Sequence, residues 1–304
     1  MKSLLKKTRF GTKPPGGRPH AATELSEEGV LGAALDPSSG EPVYAFAQLP
    51  PGALVPGIAE PNIHSAGAVA AAIRSVFSGM PMRSRAITMV LPDSAVRVFM
   101  LDFDSLPSRA TEVLPVLRLR MRKMVPFDVE HAAISYQVLS ESETAVKVLA
   151  AILPGPVLAE YENAARAAGY EPGAVLPSSL AALEVIESME AVLMANLSPL
   201  ALTTSITNGS DLLLHRTLDL PEDHTQRLAE IQRGIAVAAA YYEDTLRAPA
   251  REIHYAGCYS SREFERWISG MDLEVVDLVR RPVSAASVGQ ASIAGATGAL
   301  AGAR

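Results

Sequence analysis

The order of strand-like and helix-like segments repeats within this chain, and that repeat limits the fold more than any single motif does. Three short strand-like runs cover residues 22–25, 30–35 and 43–49, with a Pro-Ser-Ser-Gly turn at 37–40 between the last two. An alanine-rich helix is expected over 65–77. The second half follows the same order, with strands at 193–197, 201–206 and 212–218 and a hairpin turn at Asn208-Gly209, residue types that tolerate positive φ. A long helix over 221–246 then places Leu228, Ile231, Ile235, Ala238 and Tyr242 on one face, with Pro221 at its start. A strand at 252–256, a short helix near 261–268 and a strand at 273–278 follow. Two meanders, each followed by helix and strand, predict a duplicated α/β architecture with two lobes around a cleft. The two halves share this order and no sequence identity.

Between the halves, residues 86–154 read as strand, strand, helix and two further strands. The first two strands, 88–91 and 96–101, are joined by Pro92-Asp93-Ser94. Ala110, Val113, Leu114, Leu117, Met121 and Met124 share one helix face. Pro115 falls inside that helix, where a proline costs about 3 kcal/mol, so the helix is expected to begin near Leu114 or to kink there. Pro126-Phe127 stops it. Arg118 and Arg122 share a turn-spaced face, with Arg120 and Lys123 beside them. This cluster reads either as a solvated face complementing the helix dipole or as a basic rim for an acidic or membrane-adjacent partner.

Composition excludes several functions. A chain of 304 residues, 48% hydrophobic, buries a large core, and a net charge of -6 with 5% aromatics argues against a nucleic-acid surface. The single Cys258 leaves no internal disulfide and fits a reducing compartment. No apolar run approaches the roughly 20 residues that span a bilayer, and the start Met1-Lys2-Ser3-Leu4-Leu5-Lys6-Lys7 lacks a secretory apolar region, so a soluble cytoplasmic protein is expected. Residues 1–20 carry Lys2, Lys6, Lys7, Arg9, Lys13 and Arg18 with no acidic residue, and read as a flexible basic arm. Such an arm is solvated or is drawn to an anionic inner leaflet at about 1 kcal/mol per basic residue. The six histidines show no metal-ligand pair, and neither a Gly-x-Ser-x-Gly nor a P-loop motif occurs. Cys258 beside Gly257 has only His254 near it and reads as a buried thiol. Asp102 and Asp104 read as the end of a strand, and the Ala/Ser/Gly-rich segment from 282 onward as a weak last helix or a disordered tail.

Two stretches resemble the PilM family of type IV pilus assembly proteins. One is Met124-Val125-Pro126-Phe127-Asp128-Val129 leading into Ile134-Ser135-Tyr136-Gln137-Val138-Leu139, similar to the family's inserted subdomain, where a helix ends in a Pro-Phe turn and feeds a strand with a tyrosine. The other is Ala229-Glu230-Ile231-Gln232-Arg233-Gly234 followed by Tyr241-Tyr242-Glu243-Asp244. The resemblance implies an α/β, actin-like two-lobe fold with a small inserted β-β-α-β-β (SHS2-like) subdomain. The first lobe would span 21–190 with the insertion at 86–154, the second lobe 191–280, and a tail or last helix 281–304.

In that family two Asp-x-Gly turns hold magnesium and the ATP phosphates, and a late Gly-Gly turn approaches the adenosine. Carboxylates suit the hard cation, and glycine lets backbone N–H groups come close to phosphate. The equivalents here are Glu24-Leu25-Ser26 followed by Glu27-Glu28-Gly29, Asn196-Leu197-Ser198 followed by Pro199, and Gly257-Cys258. Both phosphate-facing glycines are serine, and Glu27 and Glu28 add negative charge. Glu24, Ser26, Asn196, Ser198 and Gly257 therefore read as a degenerate nucleotide site, with ATP and magnesium disfavoured and no catalytic or metal-binding residue expected.

The resemblance further implies a cytoplasmic adaptor peripheral to the inner membrane, serving a type IV pilus or a related type II secretion system. Its expected partner is the cytoplasmic N-terminal peptide of a PilN-like membrane protein, held between the first lobe and the insertion, with platform and motor components beyond it. Arg118, Arg120, Arg122, Lys123, Pro126 and Phe127 are the residues expected near that surface. A working actin-like ATPase, or a cytoplasmic domain like that of the secretion protein GspL, are the alternative readings.

Overall fold

The computed structural model of the chain describes residues 17–59, 61–289 and 291–303. Its apolar runs begin the first lobe as expected. β1 (Ala21–Leu25) pairs antiparallel with β2 (Gly29–Leu35), and β2 with β3 (Pro42–Gln48). α1 (Ala66–Phe77) crosses over and buries Val69, Ile73, Val76 and Phe77 in the lobe's core. β4 (Ala86–Leu91) then enters parallel to β1. Its run Ile87-Thr88-Met89-Val90-Leu91 is buried throughout, as a central strand covered on both faces requires.

The insertion follows β4. It consists of β5 (Arg97–Phe103), α2 (Ala110–Met121), β6 (Ala132–Glu141) and β7 (Val146–Pro154), with sheet order β5-β7-β6. Val113, Leu117 and Met121 of α2 bury one sheet face together with Leu101, Val148, Ala150 and Ile152. The expected insertion at 86–154 thus loses its first strand. Residues 86–91 belong to the first-lobe sheet because β4 finds its partners in β1 and, further on, β8, so the inserted unit is β-α-β-β. α2 starts at Ala110, ahead of the expected Leu114, and carries Pro115 exposed in its second turn. It ends at Met121, before Pro126 is reached.

α3 (Gly155–Ala167), β8 (Glu171–Pro177) and α4 (Ser178–Leu183) complete the first lobe in a stretch that the sequence reading leaves without elements. The sheet order is β3-β2-β1-β4-β8.

The second lobe repeats the plan. β9 (Ala191–Leu197), β10 (Ala201–Asn208), β11 (Asp211–Asp219), α5 (His224–Leu246), β12 (Glu252–Gly257), α6 (Ser261–Trp267) and β13 (Glu274–Asp277) build a sheet of order β11-β10-β9-β12-β13. The register repeats as well: Glu24 lies opposite Leu31 in the first meander, and Asn196 opposite Thr203 in the second. Asn208 pairs with Asp211, so the hairpin's central residues are Gly209 and Ser210, one position later than expected, with positive φ at Gly209 alone (57°). α5 is capped by Asp223, whose carboxylate accepts the Gln226 N–H at 2.9 Å, so Pro221 lies outside the helix. A Cβ at Gly234 would stand 2.8 Å from Leu218 and 2.9 Å from Leu202, so the glycine sets how closely α5 approaches its sheet.

The C-terminal segment is a structural part of the first lobe. A 3-10 turn over Val283–Val288 leads to α7 (Ala294–Ala301), which packs on α4, β1, β2 and β4. A Cβ on Gly298 would collide with the Ala181 carbonyl, so the small residues that made this segment look like a tail are what permit the helix pair to touch. Lys2, Lys6, Lys7, Arg9 and Lys13 of the basic arm lie outside the described residues. Arg18 does not behave as part of a solvated arm: its guanidinium lies 3.6 Å from the Glu184 carboxylate and against Gly302. No helix among the described residues is long and apolar enough to cross a membrane.

Candidate functional site between the lobes

The two predicted turns are built alike. Ser26 Oγ donates to the Gly29 carbonyl at 3.1 Å and accepts the Gly29 N–H at 3.2 Å. Ser198 Oγ donates to the Ala201 carbonyl at 3.3 Å and accepts the Ala201 N–H at 3.0 Å. Each serine side chain thus reinforces a turn that its own backbone also closes, through Ser26 N–H to the Gly29 carbonyl and Ser198 N–H to the Ala201 carbonyl, each at 2.9 Å. Beside the first turn, partial burial and the charge of Glu28 raise the Glu27 carboxyl above its usual range.

Glu24 is committed within the protein. Its Oε1 accepts the Ser178 hydroxyl at 2.7 Å, and its Oε2 accepts the Ala296 N–H at 2.9 Å. Ala296 is in the first turn of α7, so the carboxylate supplies an acceptor and a negative charge to a helix start. A Cβ on Gly295 would stand 2.6 Å from Glu24 Oε1, which explains the glycine there. Burial lifts the Glu24 carboxyl to about 7, against the pull of its two hydrogen bonds and with a smaller push from the Asp93 charge.

Asp93, in the turn after β4, joins the lobes. Oδ1 accepts the Ser179 N–H at 3.0 Å and its hydroxyl at 2.8 Å. Oδ2 accepts Asn196 Nδ2 at 3.0 Å and the Thr203 hydroxyl at 2.8 Å. Asn196 Nδ2 also reaches Ser178 Oγ at 3.3 Å. Behind this cluster His215 Nδ1 lies 2.9 Å from Ser205 Oγ, and Nε2 lies 3.5 Å from Ser179 Oγ. Burial depresses His215 to about 4, opposed by the Asp93 charge. A serine, a histidine and an aspartate are thus neighbours, but Ser205 is wholly buried, so no substrate reaches its hydroxyl. The sequence reading missed Asp93, Ser178, Ser179, Thr203 and His215. The polar run Thr203-Thr204-Ser205, inside a strand of a largely apolar meander, was the available signal.

Four of the five expected remnants, Glu24, Ser26, Asn196 and Ser198, line one cavity of about 70 Å³. Gly257 lines a neighbouring cavity of about 230 Å³. Pockets for drug-sized ligands measure roughly 300–1,000 Å³. The open side of Gly257 is filled by the Tyr255 ring, and burial pushes the Cys258 thiol far above its usual range. Among the described residues no group of three His, Cys, Asp or Glu side chains is placed to hold a metal ion. Ser26 and Ser198 thus close their own turns, and Glu24 is bonded to Ser178 and to the start of α7.

The six residues expected near a partner gather at one end of the insertion. Arg118 Nη1 donates to the Val129 carbonyl and Arg122 pairs with Glu130, so both pin the end of α2 to the lead-in of β6. Arg120, Lys123 and Pro126 are exposed, and Phe127 is half-buried against the insertion's core. Leu119 and Met124 beside them are 68% and 43% exposed.

No protein-family model and no curated protein sequence matches the chain. Among solved structures, the PilM–PilN type IV pilus biogenesis complex aligns with a TM-score of 0.74 at 17% identity, over 94% of this chain and 99% of that one. A Bacteroides thetaiotaomicron protein of unknown function with an actin-like ATPase fold aligns with a TM-score of 0.51 at 11% identity, over 96% and 98%. The chain has the actin-like fold. Its two five-stranded sheets are the two lobes of that fold, and the cleft between them is the place where Glu24, Asp93 and Asn196 meet. At these identities the likeness is one of fold.

Proposed function

We propose that the protein is an adaptor of the inner-membrane assembly platform of a type IV pilus or a related type II secretion system. In this reading it captures the cytoplasmic N-terminal peptide of a PilN-like membrane protein and does not hydrolyse ATP. The supporting observation is the shared architecture, across almost the whole of both chains, with a protein solved as a PilM–PilN complex. The cleft adds a physical argument for the absence of hydrolysis. Asp93 and Glu24 already hold the lobes and α7 with hydrogen bonds, and a nucleotide entering there would have to break them. The peptide would lie between the first lobe and the insertion, and the basic residues at 2–13 would add weak attraction to an anionic membrane.

Calorimetric titration with Mg-ATP, run beside a synthetic PilN-type N-terminal peptide, tests the proposal. Peptide heat without nucleotide heat is expected. Tight ATP binding would overturn the nucleotide-free part, and silence in both titrations would overturn the adaptor reading.

A further inference from the structure

Most large apolar side chains exposed on this chain stand singly or beside negative charge. Val55 lies between Leu54 and Pro56, and Val283 follows Arg281, whose guanidinium donates to the carbonyls of Gly289 and Ala291. Met189 is flanked by the exposed Glu187 and Glu190. Val237 and Tyr241 share a face of α5 with Asp244, and Arg233 on that face is paired with Glu230. The end of α2 is different. Leu119 and Met124 are exposed there beside Arg120 and Lys123, and no ion pair among the described residues involves either cation. The acidic groups nearby already have partners. Glu130 meets Arg122, while Asp128 accepts the Glu130 N–H at 2.9 Å and lies 2.6 Å from His131 Nδ1. The turn is also held in place. Arg122 N–H donates to the Arg118 carbonyl at 3.0 Å, Met124 N–H donates to the Met121 carbonyl at 2.8 Å, and Met121 and Val125 are buried beneath. Residues 119–124 thus form a fixed knob that shows solvent two apolar side chains and two unpaired cations.

We propose that this knob is a contact for an anionic lipid surface, with Leu119 and Met124 entering the acyl boundary and Arg120 and Lys123 at the level of the phosphates. The proposal extends the adaptor reading above and rests on it for the presence of a membrane beside the chain. Size and charge select lipid over protein. Four side chains fall well short of the area, about 800 Å² on each side, that a stable protein–protein interface covers. A bilayer needs no such area, because its surface is continuous and each inserted apolar group and each cation adds to the attraction. Arginine and lysine suit this depth, since their apolar stems can lie along acyl chains while their charges stay among the headgroups. The whole chain carries a net charge of -6, so an anionic surface repels most of it and turns a basic end towards the lipid. The basic residues at 2–13 supply the second weak signal that a peripheral anchor of this strength requires.

The test floats the full chain with vesicles of phosphatidylcholine, alone or mixed with phosphatidylglycerol. Partition into the mixed vesicles alone is expected. Arg120→Glu with Lys123→Glu should cut it about tenfold at low salt, and less at high salt. Leu119→Ser with Met124→Ser should cut it severalfold at either salt. In a Cys258→Ser background, a polarity-sensitive dye on Leu119→Cys should shift to the blue on mixed vesicles, and the same dye on Val237→Cys should not. Partition that survives both double variants, without a shift at 119, would assign lipid binding to the residues at 2–13 and overturn the knob contact. Absence of partition into mixed vesicles overturns it as well. The charge variant should still bind the PilN-type peptide as the wild type does. Loss of peptide binding with unchanged partition would assign the knob to a protein partner and overturn the proposal while the adaptor reading stands. Knob-dependent partition by a chain that binds no peptide would support the lipid contact and overturn the adaptor reading instead.

Discussion

Asp93 Oδ2 accepts the Asn196 side-chain amide at 3.0 Å, so a carboxylate at the end of a first-lobe strand is satisfied by the opening strand of the second lobe. Thr203 adds a second bond to the same oxygen at 2.8 Å, and Ser179 occupies the other oxygen twice. Asp93→Asn keeps the shape but turns an acceptor into a donor that faces donors. The expected loss is about 3 kcal/mol of unfolding free energy, measured by urea denaturation. A loss within roughly 0.5 kcal/mol, the range of ordinary surface substitutions, would show that the cluster does not hold the lobes.

Gly295→Ala places a methyl group 2.6 Å from the Glu24 carboxylate, at the start of α7. The carboxylate must withdraw or the helix must shift. The expected cost is about 1–3 kcal/mol, with faster amide exchange concentrated at Ala296 and along α7. Alanine at Gly67, where a Cβ meets nothing within 4 Å, is the control.

Stability should depend on pH through Glu24. Its carboxyl titrates near 7 in the folded protein against 4.5 when exposed, so the folded state binds the extra proton across that window. The stabilisation is fully present below 4.5 and is lost as pH rises through 7. Glu24→Gln removes this dependence. Between pH 5 and 8 the wild type should lose on the order of 2–3 kcal/mol relative to the variant, read from denaturation midpoints. His215 acts with the opposite sign: its stabilisation is present above 6.5 and is lost as pH falls through about 4, in both proteins.

Leu117→Ala tests whether the insertion folds around α2. Leu117 is fully buried with Val113 and Met121 against β5 and β7. A loss of about 2–5 kcal/mol is expected from the transfer and cavity terms together. Near-neutral unfolding data would mean that α2 packs elsewhere.

Both meanders could be read from the chain because strand periodicity and turn chemistry act over a few residues. The expected run at 30–35 is β2 but for its first residue, and the strand at 252–256 is β12 but for its last. The insertion's boundary could not be read in this way. An apolar run such as Ile87–Leu91 shows that a strand exists, but its sheet is set by a distant partner, here β1. The last helix was obscured for a related reason. Ala294, Gly295, Ala296, Gly298 and Ala299 are all buried, so α7 has no polar stripe to reveal a helical period.

The sequence by itself determined the duplicated order of elements and placed a serine at each cleft turn, since each follows from which residue stands at which place. Only the tertiary structure decided how the polar groups of the cleft are paired. Glu24 turned to Ala296, and Asp93 to Asn196 and Thr203. A buried polar group takes whichever donor the packing brings within about 3 Å, and these donors come from elements far apart in the chain.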